Sequence, residues 1–275
     1  MSETSTSRTA NIAVGFGIAG PGVTMVGIGV SQAGATPMTG FLLFQLGILC
    51  GLVGLILGLV GIFLTRGGVG GRSRAVTGFG LGVLMVLVVL VSASPGAGVP
   101  PINDITTNLD DPPAFAPAPA GHRNADRDMG YPPDWKPLVR DAYPDLTPIR
   151  VTVSPQQAYD IAVAEAEALG WEITRRDGTT FEAQATTALF RFVDDVSVRI
   201  AADASGQAVI DIRSKSRDGR GDLGANAARI RVFSARCSRA SRGRSRLEVI
   251  SSRGRAPRER SASPSGSRPC PTARG

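Results

Sequence analysis

The sequence predicts a membrane α-helical anchor of three spans followed by a small α+β domain with an antiparallel sheet and two helices. Three observations lead there. Long uncharged apolar stretches fill the first 95 residues, strand and helix periods alternate from residue 149 to 235, and proline-rich and arginine-rich segments flank that second part. The predicted layout is 1–95 three-span anchor, 96–148 proline-rich extended connector, 149–235 α+β soluble domain and 236–275 disordered Arg/Ser-rich tail.

Residues Phe41 to Leu64, FLLFQLGILCGLVGLILGLVGIFL, carry no charge, and as a helix they are long enough to cross a hydrocarbon core of about 30 Å. Ala75 to Ser92 is shorter and equally uncharged, with a Val/Leu density that no half-exposed soluble helix tolerates. Asn11 to Val30 is uncharged but glycine-rich and interrupted by Pro21. It is taken as a third span, because the single basic residue Arg8 and the lack of a compact leucine core fit a cleaved signal peptide poorly.

Short cytoplasmic loops accumulate Lys and Arg. Loop 65–74 holds Arg66, Arg72 and Arg74, whereas loop 31–40 has no charge and the segment after Ser92 is first charged at Asp104. The N-terminus is therefore expected inside and everything beyond residue 93 on the extracytoplasmic face, in a bacterial inner membrane. Gly47, Gly51, Gly54, Gly58 and Gly61 share one helical face, suited to close approach of another helix. That face is expected to pack within the chain, with a homo-oligomer seam as the alternative. No Asp, Glu, Lys, Arg or His lies inside a span, which argues against a proton relay or ion path.

In the soluble part a strand near 149–153 leads to a helix at Ser154-Pro155. Ser154 as N-cap and Gln157 three residues on form a capping box, and Gly170 closes the helix. Ala158, Ile161, Ala162, Ala166 and Leu169 form its apolar stripe, weakened by Glu165. Strands follow near 171–176, 180–187, 190–201 and 208–216, then a last helix from Asp222 to about Ala235. Pairing the last two strands so that opposed residues sum to 410 sets Arg199 against Asp211 and Asp195 against Lys215. It gathers Val196, Val198, Ile200, Ile210 and Ile212 on a core face, with Phe190 and Phe192, and leaves the other face to solvent. Asp194 then falls on the core side opposite Ser216. Ser214, Ser216 and the amides opening the last helix are its expected donors.

Gly219-x-Gly221-x-x-Gly224 has the spacing of a dinucleotide fingerprint, and Arg220-Gly221-Asp222 spells an adhesion tripeptide. A nucleotide site needs this motif on a doubly covered first strand with further crossovers behind it, and Asp222 puts a negative charge where a pyrophosphate would lie. The stretch is read as a tight turn into a helix capped by Asp222.

The strings PPINDITTNLDDPP, YPDLTPIRV, ALGWEI, VDDVSVRI and IRSKSRDGRGDLGANAARIR, with AGPG and TGF nearer the front, resemble the bacterial and plant Domain of Unknown Function 1499 family. The resemblance runs to about Ala235 and implies a membrane-associated module of unassigned activity. By that resemblance the family's polar positions fall on Asp104, Thr106, Asp110, Asp194, Arg213, Ser214, Ser216, Arg217, Asp222, Asn226 and Arg229. Where family members close the last helix with a leucine-rich turn, this chain continues into SARCSRASRGRSRLEVISSRG and beyond. Residues 234–275 hold eleven Arg against Glu248 and Glu259, a net +9, so that 1–233 sums to −2. A frame change in a GC-rich gene is the expected origin of that tail. An arginine-serine tail can bind nucleic acid electrostatically, but on the extracytoplasmic side no nucleic acid partner is expected.

Catalytic constellations are sparse. His122, the single histidine, lies in the connector, which removes Ser-His and Cys-His schemes and histidine-rich metal sites. Asp194 and Asp195 point to opposite faces of a strand, Ser214 and Lys215 likewise, and Asp110-Asp111 reads as a turn. Cys237 and Cys270 fall in the tail and Cys50 in a span, so there is no disulfide framework. No cofactor or metal is expected. The leading expectation is an interaction or binding module, with membrane lipids around it and an envelope protein or ligand as partner. Its polar cluster is Asp194, Arg213, Ser214, Ser216, Arg217, Asp222, Asn226 and Arg229. An envelope-acting hydrolase using Asp194 with Ser214 or Ser216, and a small hydrophobic-ligand carrier, are the alternatives.

Overall fold

The computed structural model describes residues 6–67 and 69–254. Three long helices come first: α1 (Arg8–Gln32), α2 (Pro37–Leu64) and α3 (Arg72–Ala93), each long and apolar enough to cross a membrane. The protein is a membrane protein with a three-helix anchor. α1 runs through Pro21 without a break. Gly47, Gly51, Gly54, Gly58 and Gly61 are all buried, and they are buried against the chain's own helices. A Cβ on Gly54 would come within 2.7 Å of the Gly17 nitrogen in α1, and one on Gly17 within 2.8 Å of Gly78 Cα in α3. Such backbone contact supplies the dispersion energy that lipid-immersed helices need, since lipid gives them no hydrophobic drive to associate.

Beyond a 3-10 turn (Ser94–Gly96) the soluble part contains β1 (Asp104–Thr106), α4 (Trp135–Ala142), β2 (Ile149–Val151), α5 (Pro155–Ala168), β3 (Glu172–Arg176), β4 (Thr180–Thr186), β5 (Val193–Ala202), β6 (Ala208–Ser216) and α6 (Ala225–Gly254). The strands form one antiparallel sheet in the order β1-β6-β5-β4-β3. β2 takes the same edge of β6 as β1, pairing its first half while β1 pairs its second. The β5–β6 register is the one that the charge pattern predicts, with Asp194 opposite Ser216 and Arg199 opposite Asp211. The capping box at Ser154 and Gln157 forms as expected. α5 and α6 cover one face, where Trp171 stacks on Phe233 at 5.1 Å and Tyr159 meets Phe181 edge-on at 6.0 Å.

Three expectations need correction. The opposite sheet face is not left to solvent: Asp195, Arg213 and Lys215 on it are buried. The cover is the segment expected to be an extended connector, which contributes β1 and α4 and runs across the strands. Ser197 Oγ donates to the Ala114 carbonyl at 2.8 Å, the Ala116 amide to Glu182 Oε1 at 2.6 Å, and Arg213 Nη1 to the Pro113 carbonyl at 3.2 Å. Prolines hide such a strap from periodicity, because extended backbone without its own ladder has no period to detect.

The last helix also continues past Ala235. Ala227, Ile230, Phe233 and Cys237 are fully buried at spacings of three and four, and Arg236 Nε reaches Glu165 Oε2 at 2.5 Å. Burial pushes the Cys237 thiol up to about 12, so it serves as a small apolar group. Residues 255–275, the rest of the expected tail with Cys270, lie outside the described residues.

Finally, Phe190 and Phe192 do not join the domain core. Both pack edge-on against Phe41 of α2, at 5.5 and 5.9 Å, and Phe190 also meets Phe44 at 5.2 Å.

Candidate functional site

The eight residues expected to cluster divide between the two sheet faces. On the helix face, Asp194 Oδ2 accepts from Arg229 Nη2 at 2.5 Å. Arg229 Nη1 also donates to Ser214 Oγ at 3.0 Å and to Asn226 Oδ1 at 2.5 Å. Asn226 Nδ2 donates to Ser216 Oγ at 2.9 Å and to the Asn103 carbonyl at 3.1 Å, and Ser214 Oγ donates to Asn226 Oδ1 at 2.6 Å. Asp222 caps α6, taking the Gly224 amide at 2.9 Å and the Asn226 amide at 2.8 Å. Gly219 and Gly224 have φ of +82° and +83°, backbone that favours glycine, so the glycine spacing builds a turn and a cap. Asp194 is buried, and its carboxyl is raised above the ordinary value, first by desolvation, against the opposing pull of Arg229 and Ser216.

Arg213 and Arg217 belong to the strap face. Arg213 holds buried Asp104 with both Nε (2.9 Å) and Nη2 (2.7 Å), and Lys215 Nζ reaches the same carboxylate at 3.0 Å. The guanidinium lies 4.8 Å from the Phe115 ring centre and 5.2 Å from that of Tyr131. Burial first, then the Asp104 charge, raise the Tyr131 hydroxyl above its usual range. Asp195 therefore does not take Lys215 as its ion partner, although the two are directly opposed. It accepts from Arg217 Nη2 at 2.6 Å and from Asn124 Nδ2 at 2.8 Å. Thr106 is buried, pairing with Arg213 across the β1–β6 ladder, and Asp110 is exposed on the strap. His122 Nδ1 accepts the Asn124 amide at 3.2 Å, a turn contact.

Residues 104–236 match the model of the family described as a protein of unknown function, DUF1499. Over these residues the chain is similar to that family. The match begins at β1, so the strap from Asp104 onward falls within the matched residues and the three-helix anchor lies outside them. No curated protein matches the chain.

The helix-face network opens toward the anchor. A crevice of about 230 Å³ lies between the start of α2 and the turn before α6. Met38, Phe41, Phe192 and Leu223 supply apolar walls, and Asp194, Ser216, Asp218 and Asp222 line its polar part. Ser214, fully buried and bonded to Asn226 and Arg229, does not line it. The crevice is at the junction of anchor and domain. Gln32 Nε2, at the end of α1, donates to the Ala188 and Leu189 carbonyls at 2.5 and 3.0 Å. A Cβ on Gly96, just past α3, would meet Leu223 Cβ at 2.7 Å.

Sequence reasoning missed Arg229 as the main donor to Asp194, although Asn226 and Arg229 are three apart on a helix aimed at the end of β6, a spacing that places both on one side. It also missed Asn103, Asn124 and Arg127 on the strap. Arg127 Nη2 donates to the Ser216 carbonyl at 2.9 Å. No local pattern marks such loop residues.

Proposed function

We propose that the chain is a membrane-anchored extracytoplasmic binding module whose ligand occupies the crevice between α2 and the turn before α6. The observation that carries this reading is the position of the crevice. The end of α1, the start of α2 and the turn just past α3 all meet the soluble domain, so the domain and the crevice share one end of the bundle. Arg66 in the α2–α3 loop and Arg72 and Arg74 in the first turn of α3 lie at the opposite end. The positive-inside rule then directs the domain outward, to the outer side of a bacterial inner membrane. A half-apolar crevice at that level meets molecules that are themselves half apolar.

The hydrophobic-ligand reading takes this form at the junction. Between helices and sheet the space is filled by Trp171, Phe233, Tyr159 and Phe181. Binding also suits the polar network better than hydrolysis, because Ser214 is sealed, Ser216 Oγ is engaged by Asn226 and Asp194 is held by Arg229.

Two measurements test the proposal. A photo-crosslinking residue at Leu223, which is 60% exposed on the crevice wall, should yield an adduct of lipid-like mass in native membranes, absent when the probe replaces Leu138 on α4. Only protein-sized adducts, or none above that control, would overturn it. For orientation, Ser205→Cys in the exposed β5–β6 turn, in a chain with Cys270→Ser, should react with an impermeant maleimide in intact cells. Labelling only after lysis reverses the topology.

A further inference from the structure

The crevice also carries information on the chemistry of its occupant, an inference that rests on the binding reading above. Its lining includes three carboxylates, Asp194, Asp218 and Asp222, and no Lys or Arg. These carboxylates are not equivalent. Asp222 spends its oxygens on the α6 cap and Asp194 is met by Arg229 and Ser216. Asp218 gives Oδ1 to Arg123 at 2.8 Å, a pair whose arginine side chain is 56% exposed. Its Oδ2 is buried without a hydrogen-bond partner, and so is Oγ1 of Thr187, another lining residue. A buried acceptor left unpaired costs free energy that a donor would recover, and a charged donor recovers more.

From this we infer that the crevice takes an amphiphile with an ammonium head group, its amine received by Asp218 and Thr187 and its chain lying along Met38, Phe41 and Phe192. The charge disfavours the mirror case: Arg229 and Arg123 already hold Asp194 and Asp218, so an anionic head would meet three carboxylates and no lining cation of its own, and repulsion in a partly desolvated site is weakly screened. A neutral alcohol could satisfy Thr187 but would bring no positive charge to the unpaired Oδ2 of Asp218. A primary amine keeps its proton at neutral pH, as lysine does with a pKa of about 10.4. The opening beside α2 lets the chain remain at the level of the bilayer while the head group enters.

The full chain in phosphatidylcholine nanodiscs, labelled with 13C at methionine methyls, gives the test. Met38 lines the crevice, while Met25 is 66% exposed on α1 and reports general partition into the bilayer. Octylamine, octanol and octanoate share a chain length and differ in the head. Octylamine should shift Met38 saturably, at concentrations at least tenfold below octanol, with little movement of Met25 and no saturable response to octanoate. Asp218→Asn should weaken octylamine at least tenfold while octanol is unchanged, and Thr187→Val should weaken it less. The exposed Arg123 partner makes Asp218→Asn compatible with folding, and Thr187→Val supplies a second variant if that chain fails to fold. Equal binding of octanol, or better binding of octanoate, overturns the ammonium inference and leaves the crevice reading intact. Parallel shifts of Met38 and Met25 for all three probes overturn both.

Discussion

Asp194 and Asp195 are consecutive residues of β5 on opposite faces of the sheet, and both are buried and held by arginine, yet in different ways. Asp194 looks toward α6. Its arginine, Arg229, comes from that helix, and its neighbourhood leads to the crevice at the membrane junction. Asp195 looks toward the strap, is clasped by Arg217 just past the end of β6, and takes a further bond from Asn124. The difference teaches that an amphipathic strand pattern names which face is apolar and does not name which face is dry. On the strap face the ion pairs are closed beneath a layer of extended chain, and Asp211 Oδ1, buried there without a partner among the described residues, does not line the crevice. The helix-face network borders a crevice with unpaired oxygens, so the binding reading attaches to that side.

The largest expected effect comes from breaking the deepest pair of the strap face. Arg213 is 2% exposed and Asp104 fully buried. Arg213→Ala leaves Asp104 with Lys215 alone and strips three strap carbonyls of a donor, those of Pro113, Met129 and Gly130. Removing one member of a buried ion pair costs about 3 to 5 kcal/mol. Chemical denaturation of the full chain in detergent should show a loss of that size, and a loss below about 1 kcal/mol would mean that the strap does not lock the sheet.

Next in size is the end of α6. A chain ended after Ala235 loses the burial of Cys237 and the Arg236–Glu165 pair, and should lose roughly 2 to 3 kcal/mol through exposed apolar surface. A chain ended after Gly254 keeps every contact described here. Equal stability of the two would put the end of the folded helix near Ala235, where the sequence places it.

The two neighbouring aspartates give a more direct comparison. With Asp195 on a wet face, Asp195→Asn would cost under about 1 kcal/mol while Asp194→Asn would cost roughly 1 to 3. Burial of Asp195 beneath the strap removes that asymmetry, and both substitutions should now fall at roughly 1 to 3 kcal/mol, each weakening charge-assisted bonds from an arginine. If Asp195→Asn stays near zero, the strap opens readily in solution. If only Asp194→Asn alters photo-crosslinking from Leu223, the two faces differ in function as well as in structure.

What the sequence made legible was whatever local rules control. Uncharged length gave the spans, Ser154 and Gln157 the start of α5, Asp222 the cap of α6, and the period-two charge pattern gave the β5–β6 register. Contacts made across long separations stayed hidden. Asp104 and Arg213 are 109 residues apart and Asn124 and Asp195 are 71 apart, and a proline-rich strap has no periodicity to announce which strand it covers. The aromatics at Phe190 and Phe192 misled for a related reason. Their spacing fits a strand, but Arg191 between them has φ of +59°, so the chain turns there and presents both rings to α2.

The smallest expected effect is a change of slope with pH, and it isolates the helix-face carboxylate. Burial raises the Asp194 carboxyl above 3.8, Asp222 adds to the rise, and Arg229 and Ser216 oppose it. A carboxyl with a higher pKa in the folded chain binds its proton more tightly there than in the unfolded chain. Its contribution to stability is then fully present below the unfolded value and is lost as pH rises through the folded one. Across the window that opens at 3.8 and closes at the raised value, the unsubstituted chain should therefore lose stability relative to Asp194→Asn. Glu182 on the strap face is also raised by burial, but it is present in both chains and cancels from their difference. Thermal midpoints of the two full-length chains at closely spaced pH values measure that difference directly. A gap that stays constant through the window, or that changes in the opposite direction, would show that Arg229 outweighs desolvation and that Asp194 is a fully compensated anion.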